Sequence, residues 1–268
     1  MTDSSAEESL VLERYKFTVS YNGTAYQGFQ IQGKTRTVQL ELEKALKQLG
    51  WQGTGFIGAG RTDTGVHAIG QVFNADLAWS HGTDALLKAM NAKLPKDIAI
   101  TAVEKADADF HARFDAKWRC YHYHVYFAPV RNPLRDPLAW RLWPQPDIER
   151  LNEAAKEFPG IHDFRAFGSP PRKDRGTVRE IKDSRWYELF PDEWVYEVRA
   201  NAFLYHMVRR MVYVQIGYAL GLIDIETVRN AVQKGIDAKP GLAPPNGLRL
   251  WNVTYGQPKK LENETKRI

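Results

Sequence analysis

The sequence predicts an α+β fold in which two ferredoxin-like βαββαβ halves lie side by side. In each half, a segment of alternating apolar residues is followed by a segment with helical spacing, and further strand and helix patterns come after it. No low-complexity segment interrupts either half. With 268 residues, of which 43% are hydrophobic, the chain is long enough for one large domain or two compact lobes.

The first half is predicted over residues 13–107. Apolar residues alternate with polar ones from Tyr15 to Tyr21, as in a half-buried strand, and recur at helical spacing from Val38 to Leu49. Thr37 is placed to cap this helix and Gly50 to end it. The remaining elements are strands at 54–57 and 70–74, a helix that Thr83 caps and that stops before Pro95, and a strand over 98–103.

The second half is predicted over residues 108–257. Its elements are a strand over 121–127, a helix over 148–158 that ends near Gly160, strands at 177–187 and 194–199, a long helix over 202–220, an extra helix over 225–234 capped by Asp224, and a last strand over 248–255. The long helix is apolar on most sides, which predicts that it is buried. The segment 168–176, which contains Pro and Gly, is the best candidate for a flexible functional loop.

Charge and cysteine content restrict the class of protein. Lys and Arg total 37 against 32 Asp and Glu, which gives a net charge of +5; this allows a polyanionic partner such as RNA without requiring one. Cys120 is the only cysteine, so an internal disulfide is impossible and a reducing compartment fits. The polar N-terminus does not resemble a secretory signal, and the apolar stretch from Met211 to Ile223 is too short to span a bilayer. We therefore expect a soluble cytoplasmic protein with disordered ends at 1–12 and 258–268.

The segment from Gly58 to His67 is the strongest candidate for a catalytic loop. Its glycines allow tight turns or positive φ, and it carries Asp63 two positions after Arg61. A carboxylate that projects from such a loop into a cleft, with a guanidinium nearby, suits a nucleophile or a base that acts on an anionic ligand. The alternative is that Asp63 only accepts hydrogen bonds from the amides of its own turn. Residue types alone leave both interpretations open.

Other motifs are weaker. The segment Gly53–Gly58 matches G-x-G-x-x-G, but a helix is predicted before it and another glycine-rich turn after it, which disfavours a nucleotide-binding loop. His122 and His124 share one face of a predicted strand. No nearby Cys or carboxylate completes a metal site there, so we expect a solvated or RNA-facing surface. Cys120 is interpreted as a small buried side chain.

Two groups of basic residues have competing interpretations. The segment 165–185 carries Lys and Arg diluted by Asp and Glu, and it is either a solvated face or a phosphate-binding surface. Arg209 and Arg210 lie within the most apolar predicted helix, where an unpartnered guanidinium is costly. Because neighbours on a helix point about 100° apart, we expect one of them to face a cleft and the other to face water. An ordinary stabilising ion pair is the alternative.

Several further segments, taken together, resemble one known protein family. They are Tyr21-Asn22-Gly23-Thr24, Gly28-Phe29-Gln30 with Gln32, Thr37-Val38-Gln39, Leu42-Glu43, Gly60-Arg61-Thr62-Asp63, Gly65-Val66-His67, Asn91, Leu94-Pro95, Asp97-Ile98, Phe110-His111-Ala112-Arg113-Phe114, Tyr121-His122-Tyr123, Ala200-Asn201-Ala202-Phe203, His206-Met207-Val208-Arg209 and Gly247-Leu248. Together and in this order they resemble the tRNA pseudouridine synthases of the TruA type. The resemblance covers roughly residues 13–256 and is far more specific than any single motif.

The resemblance implies the pseudouridine synthase fold: one extended, mostly antiparallel sheet with helices on one face. It also implies isomerisation of uridine to pseudouridine in the anticodon arm of tRNA, at positions 38–40, by a homodimer that needs no cofactor or metal. Asp63 matches the essential catalytic carboxylate, and Arg209 matches the Arg that pairs with it. Tyr121 matches the aromatic residue that packs on the target base, and Arg61 matches the residue that helps to hold the target nucleotide out of the stack.

Two other functions are alternatives for this sequence. The first is a noncatalytic tRNA-binding protein on the same scaffold. The second is a nucleotide-dependent enzyme that uses the Gly53–Gly58 segment.

Overall fold

The computed structural model describes residues 11–170, 176–238 and 241–256. Most of the ends predicted to be disordered, residues 1–10 and 258–268, lie outside the described residues, as do residues 171–175 of the predicted loop. Val11 and Leu12 precede the first strand and are exposed.

Nine strands and five α-helices are formed by the described residues. The strands are β1 (Glu13–Tyr21), β2 (His67–Leu77), β3 (Ile98–Lys105), β4 (Ala116–Phe127), β5 (Trp140–Leu142), β6 (Gly160–Asp163), β7 (Val178–Phe190), β8 (Glu193–Ala200) and β9 (Leu248–Tyr255). The helices are α1 (Val38–Gln48), α2 (Gly82–Lys93), α3 (Ile148–Ala155), α4 (Met207–Ala219) and α5 (Ile225–Lys234). All of these strands belong to one sheet with the order β3-β1-β2-β9-β4-β8-β7-β6, and β5 pairs with β4 outside this path.

The sheet consists of two sets of strands, and the first lacks the fourth strand of a ferredoxin-like unit. In the first set, β1 lies between β2 and β3 and is antiparallel to both. In the second set, β4 is antiparallel to β8 and β9, and β8 is antiparallel to β7. The sets join where β2 and β9 pair in parallel, His67 with Arg249 and Ala68 with Leu250. The predicted α+β class with one mostly antiparallel sheet is therefore confirmed.

The main core lies between the sheet and the helices. Tyr15, Phe17 and Val19 of β1 are fully buried, as their alternation predicts, and belong to the same cluster as Leu42 of α1. The expectation that the long helix is buried is also confirmed, since α4 contributes buried residues such as Met211 along its length. None of the described helices is long and apolar enough to cross a membrane.

The helix ends agree with the predicted caps in part. Thr37 caps α1 and Asp224 caps α5, each by accepting a hydrogen bond from a backbone N–H of the first turn. The predicted Thr83 cap is wrong, because α2 begins at Gly82 and Thr83 lies within its first turn. α3 ends at Ala155, before the predicted end at 158.

The predicted strand at 54–57 is absent, and only an isolated bridge between Gly58 and Phe73 lies beside β2 there. This segment contacts β2 through side chains and not through a strand ladder, since the ring of Phe56 stacks on Phe73 with centroids 4.3 Å apart. Gln39 Nε2 donates to the Phe56 carbonyl oxygen at 2.9 Å, so a side chain satisfies a backbone group that a strand would otherwise pair. The Gly53–Gly58 segment follows α1 and precedes β2, which is not the strand-then-helix context of a nucleotide-binding loop.

The start of α4 also differs from the prediction, since the helix begins at Met207 and not at 202. His206 has a left-handed φ of 65°, which a right-handed helix cannot include. Just before it, Tyr205 N donates to the Ser169 carbonyl oxygen at 3.0 Å, so this part of the chain is extended. The short strands β5 and β6 were not predicted, because three or four residues are too few to show an alternation.

Candidate active site

The loop of residues 58–66 is fixed to β2 by backbone and side-chain hydrogen bonds. Ala59 N donates to the Val72 carbonyl oxygen at 2.7 Å. Gln71, which is fully buried, accepts from Gly60 N at 3.3 Å and donates to the Gly60 carbonyl oxygen at 2.8 Å. The first part of the loop is therefore held rigidly against the sheet.

A close backbone approach positions the middle of the same loop. The Thr62 hydroxyl lies 2.8 Å from the hydroxyl of Tyr21, and the Thr62 carbonyl oxygen accepts from Phe29 N at 3.1 Å. Gly28 has a φ of 83°, and a Cβ atom there would lie 2.7 Å from the Thr62 carbonyl oxygen. A residue with a side chain at Gly28 would therefore displace Thr62 and with it Asp63.

The 58–66 loop, β4 and the start of α4 line a cavity of about 420 Å³, which we name the Asp63 cavity. The four residues predicted to form the site all line it: Arg61, Asp63, Tyr121 and Arg209. The volume is within the range of small-molecule sites, about 300–1,000 Å³. The chain thus brings the four side chains together, and their catalytic roles stay predictions.

Two side chains converge on one oxygen of Asp63. Arg209 Nη1 and His206 Nε2 each lie 3.5 Å from Asp63 Oδ2. Arg209 is itself fixed, because its Nε donates to the Ala243 carbonyl oxygen at 2.6 Å. Within the described chain, no hydrogen bond reaches Asp63 Oδ1, and the side chain is 23% exposed. The arrangement therefore leaves Oδ1 available to a ligand. Arg210 is exposed, as expected for the neighbour of a cleft-facing Arg209.

His206 is a site residue that the sequence reasoning missed. Burial lowers the pKa of its imidazole; Asp63 opposes this effect, while Arg209 and Arg210 strengthen it. The ring is therefore neutral at neutral pH, and it stacks on the ring of Tyr205 with centroids 3.7 Å apart. The available signal was its position in the same matched segment as Arg209, three residues earlier.

Tyr121 and Arg61 occupy different parts of the cavity. Tyr121 is only 7% exposed, and its ring lies edge-on to Phe203 with centroids 5.0 Å apart. Burial raises the pKa of the Tyr121 hydroxyl, and the nearby Tyr21 and Asp63 add to this effect, so the hydroxyl keeps its proton. Arg61 is exposed at the rim of the cavity.

The pair His122 and His124 is buried, and the expectation of a solvated or RNA-facing surface is wrong. His122 Nε2 lies 3.2 Å from Glu197 Oε2, and His124 Nδ1 lies 2.9 Å from Glu193 Oε1. Because side chains alternate along a strand, both histidines lie on the opposite face of β4 from Tyr121. The carboxylates that the sequence did not place near them come from β8, which is adjacent in the sheet but distant in the chain.

Cys120, His122 and Glu197 form a group whose ligand atoms lie within 4.8 Å of one another, the one set of this kind found in the described residues. Burial raises the pKa of the Cys120 thiol to about 12, which disfavours the thiolate that a metal would need. Arg185 Nη2 lies 3.0 Å from Glu197 Oε1, so the carboxylate already has a cationic partner. As expected, Cys120 is a small buried side chain.

The basic residues of the segment 165–185 differ in whether they have a carboxylate partner. Arg165 forms an ion pair with Asp163, and Arg185 forms one with Glu197. Arg179 has no carboxylate partner among the residues that the structure describes. The three further basic residues Arg172, Lys173 and Arg175 lie outside the described residues.

Known proteins are similar to this chain over most of its length. The chain matches the family described as tRNA pseudouridine synthase over residues 18–115 and 154–256. It is 38% identical to the tRNA pseudouridine synthase A of Pseudothermotoga lettingae over 91% of this chain and 100% of that protein. It is 37% identical to the protein of the same name from Bacillus subtilis, over 90% of this chain and 99% of that protein. The protein of that name from Limosilactobacillus fermentum is 35% identical over 94% of this chain and 100% of its own length. The chain therefore belongs to the tRNA pseudouridine synthase family.

Proposed function

We propose that this chain is an isomerase that converts uridine to pseudouridine at positions 38–40 in the anticodon arm of tRNA, with no cofactor or metal. The observation that carries the proposal is the convergence of Arg209 and His206 on Asp63, in a cavity that Tyr121 and Arg61 also line. We further propose that the active form is a cytoplasmic homodimer. Family membership supports the reaction class, and the cavity supports the assignment of residues.

The reaction is balanced without a redox partner. The N1–C1′ bond of uridine breaks, the uracil rotates, C5 bonds to C1′, the proton at C5 leaves and N1 gains a proton. Asp63 is the group we assign to this chemistry, through Oδ1, because Oδ2 is occupied by Arg209 and His206. The carboxylate attacks the sugar or the base, or it removes the proton at C2′.

The target nucleotide must leave its stack to reach Asp63. A base within an RNA helix hides its sugar carbon and C5, and flipping it out costs on the order of a few kcal/mol. Stacking on Tyr121 would offset about 1–3 kcal/mol of this cost. Arg61, at the exposed rim, is suited to hold the flipped nucleotide in place.

Substitution of Asp63 tests the function directly. We expect Asp63→Asn, which keeps the size of the side chain, to abolish pseudouridine formation in transcribed tRNA while tRNA binding is largely kept. Pseudouridine is measured by chemical labelling and primer extension, and Asp84→Asn, on the exposed first turn of α2, is the matched control. Appreciable turnover by the Asp63 variant would remove this residue from its role.

The same assay separates the alternatives. A noncatalytic tRNA-binding protein would bind tRNA but form no pseudouridine even with Asp63 intact. A nucleotide-dependent enzyme would need an added cofactor, whereas we expect turnover in buffer that contains only protein and tRNA. Mapping of pseudouridine in tRNA from cells without this protein, and from complemented cells, identifies the modified positions.

A further inference from the structure

A second pocket, of about 670 Å³, adjoins the Asp63 cavity. The two share Arg61, Arg113 and Arg119, and the second pocket adds Arg179 of β7 and Phe114 of the β3–β4 connection. We name it the arginine pocket. None of the described residues that line it is Asp or Glu. The described lining of this pocket therefore has an excess of positively charged side chains.

Arg119 contributes a buried positive charge to both pockets. It is 9% exposed, and its donors are used by backbone carbonyl oxygens: Arg113 and Asn201 at 2.7 Å, Ala116 at 3.0 Å and Ala59 at 3.1 Å. These bonds satisfy its N–H groups but do not neutralise its charge, and burial lowers its pKa. Because a buried cation without a counter-ion is unfavourable, a bound anion would stabilise this arrangement.

Arg179 offers hydrogen-bond donors at the same pocket. Its Nη1 donates to the carbonyl oxygens of Gly176 at 2.9 Å and Val178 at 2.6 Å. Its Nε is buried and makes no hydrogen bond to any described residue, and burial lowers its pKa. A guanidinium whose charge is not paired with a carboxylate of the described residues is suited to a phosphate oxygen.

Phe114 adds an aromatic surface beside these cations. Its side chain is 68% exposed, and its ring lies 4.3 Å from that of His111 between centroids. Aromatic rings next to a basic groove are the usual stacking surfaces for unpaired nucleotides. An exposed phenyl ring at this position therefore indicates a base-stacking site.

We propose that the arginine pocket binds the RNA nucleotide next to the target uridine, with Arg179 on its phosphodiester and Phe114 stacked on its base. The proposal rests on the proposed function. Any nucleotide that enters the Asp63 cavity is joined on both sides to a phosphodiester. Since the two pockets share three arginines, the RNA strand that leaves the cavity enters the arginine pocket directly.

The salt dependence of tRNA binding tests the phosphodiester contact. Each contact to a single-stranded phosphate contributes about 0.7 to the slope of log K against log salt concentration. We expect Arg179→Gln to reduce the slope by about this amount, and Arg179→Lys to keep most of it. The control Lys88→Gln removes the same charge from an exposed position on α2 and should leave the slope unchanged. An Arg179→Gln slope equal to that of the control overturns the phosphodiester assignment.

Alanine substitution tests the stacking contact. Phe114→Ala should weaken tRNA binding roughly 5- to 150-fold, the range seen for loss of one base–aromatic stack. Phe190→Ala is the matched control, since this ring is 58% exposed at the far end of β7. Thermal unfolding shows that the variants are folded. Equal affinities of the Phe114 and Phe190 variants would refute the stacking role.

Pseudouridine formation by the parent protein separates this proposal from the proposed function. If the parent forms pseudouridine but the variants bind tRNA as the controls do, the arginine pocket proposal fails and the function stands. If the variants lose binding as expected but the parent forms no pseudouridine, the pocket is an RNA site and the enzymatic function fails.

Discussion

The two faces of β4 differ in the kind of partner that their ionisable side chains have. On the face with His122 and His124, each imidazole has a carboxylate at 3.2 or 2.9 Å, and the rings are almost inaccessible to water. On the face towards the Asp63 cavity, the partners that the described residues give Arg119 are all carbonyl oxygens, and Asp63 is contacted at 3.5 Å through one oxygen.

The comparison indicates what distinguishes a site from a structural cluster. Both faces bury ionisable groups, so burial alone does not identify function. On the histidine face each imidazole has a carboxylate from β8 as a partner, and the buried His124 Nε2, which makes no hydrogen bond to a described residue, carries no unpaired charge. On the cavity face, no described residue donates to Asp63 Oδ1 and none pairs a carboxylate with Arg119; a nucleotide can supply a donor group to the first and a phosphate to the second.

Among the variants that leave Asp63 itself in place, Arg209→Met should give the largest effect, because it removes the guanidinium that contacts Asp63 Oδ2. We expect kcat to fall roughly 100- to 1,000-fold, the usual loss when one donor to a reacting group is removed. Arg210→Met is the control, since this exposed neighbour lies on the same helix. Turnover and melting temperature both equal to those of the parent would show that the Asp63–Arg209 contact has no role.

Tyr121 variants separate ring stacking from hydroxyl chemistry. Tyr121→Leu should reduce kcat/KM roughly 5- to 150-fold, the value of one stacked base, with a smaller effect on overall tRNA affinity, which phosphate contacts dominate. Tyr121→Phe keeps the ring and should stay close to the parent, because the raised pKa of this hydroxyl keeps it protonated. An unchanged rate for the Leu variant would reject stacking.

Acid should destabilise the histidine face. Burial lowers the pKa of His124 to about 4, whereas the unfolded chain has the ordinary value of 6.5. Between these values the unfolded state binds a proton that the folded state does not, so stability decreases as the pH falls. We expect a loss of about 2 kcal/mol from this residue between pH 6.5 and 5, measured by denaturant unfolding. His124→Gln should show a smaller pH dependence, and an unchanged dependence would assign the effect elsewhere.

His206 should give the smallest change in rate, because it is the neutral partner of Asp63. Gly and Asn tolerate a left-handed φ, so His206→Gly and His206→Asn test the imidazole without backbone strain. We expect both to lower kcat about tenfold with little change in KM, because the imidazole contact to Asp63 Oδ2 at 3.5 Å is lost. Full activity in both variants would limit His206 to shaping the start of α4.

Periodicity predicted most of the elements but not the features that shape the site. The alternation in β1 and the helical spacing in α1 were sufficient, because each of these elements buries one face. The 54–57 segment was misassigned because its residues have strand-like character, while Gln39 and Phe73 hold it by contacts that are distant in sequence.

The candidate site was predicted through the resemblance, and this prediction lacked one residue, His206. Asp63 and Arg209 are far apart in sequence. Before the structure was known, only their positions in segments that match the family could indicate that the two side chains lie close together. His206 was missed because its role depends on where α4 begins, and a left-handed residue has no signature in hydrophobic spacing. The partners of His122 and His124 were missed because β8 had not been placed beside β4.

The placement of β9 has a consequence for synthesis on the ribosome. Among the described strands β9 is made last, yet it lies between β2 and β4 and joins the two halves. Until it emerges, the nascent chain exposes two unpaired strand edges in the middle of the future sheet, and such edges promote aggregation. Chaperone demand should therefore be highest before β9 leaves the ribosome.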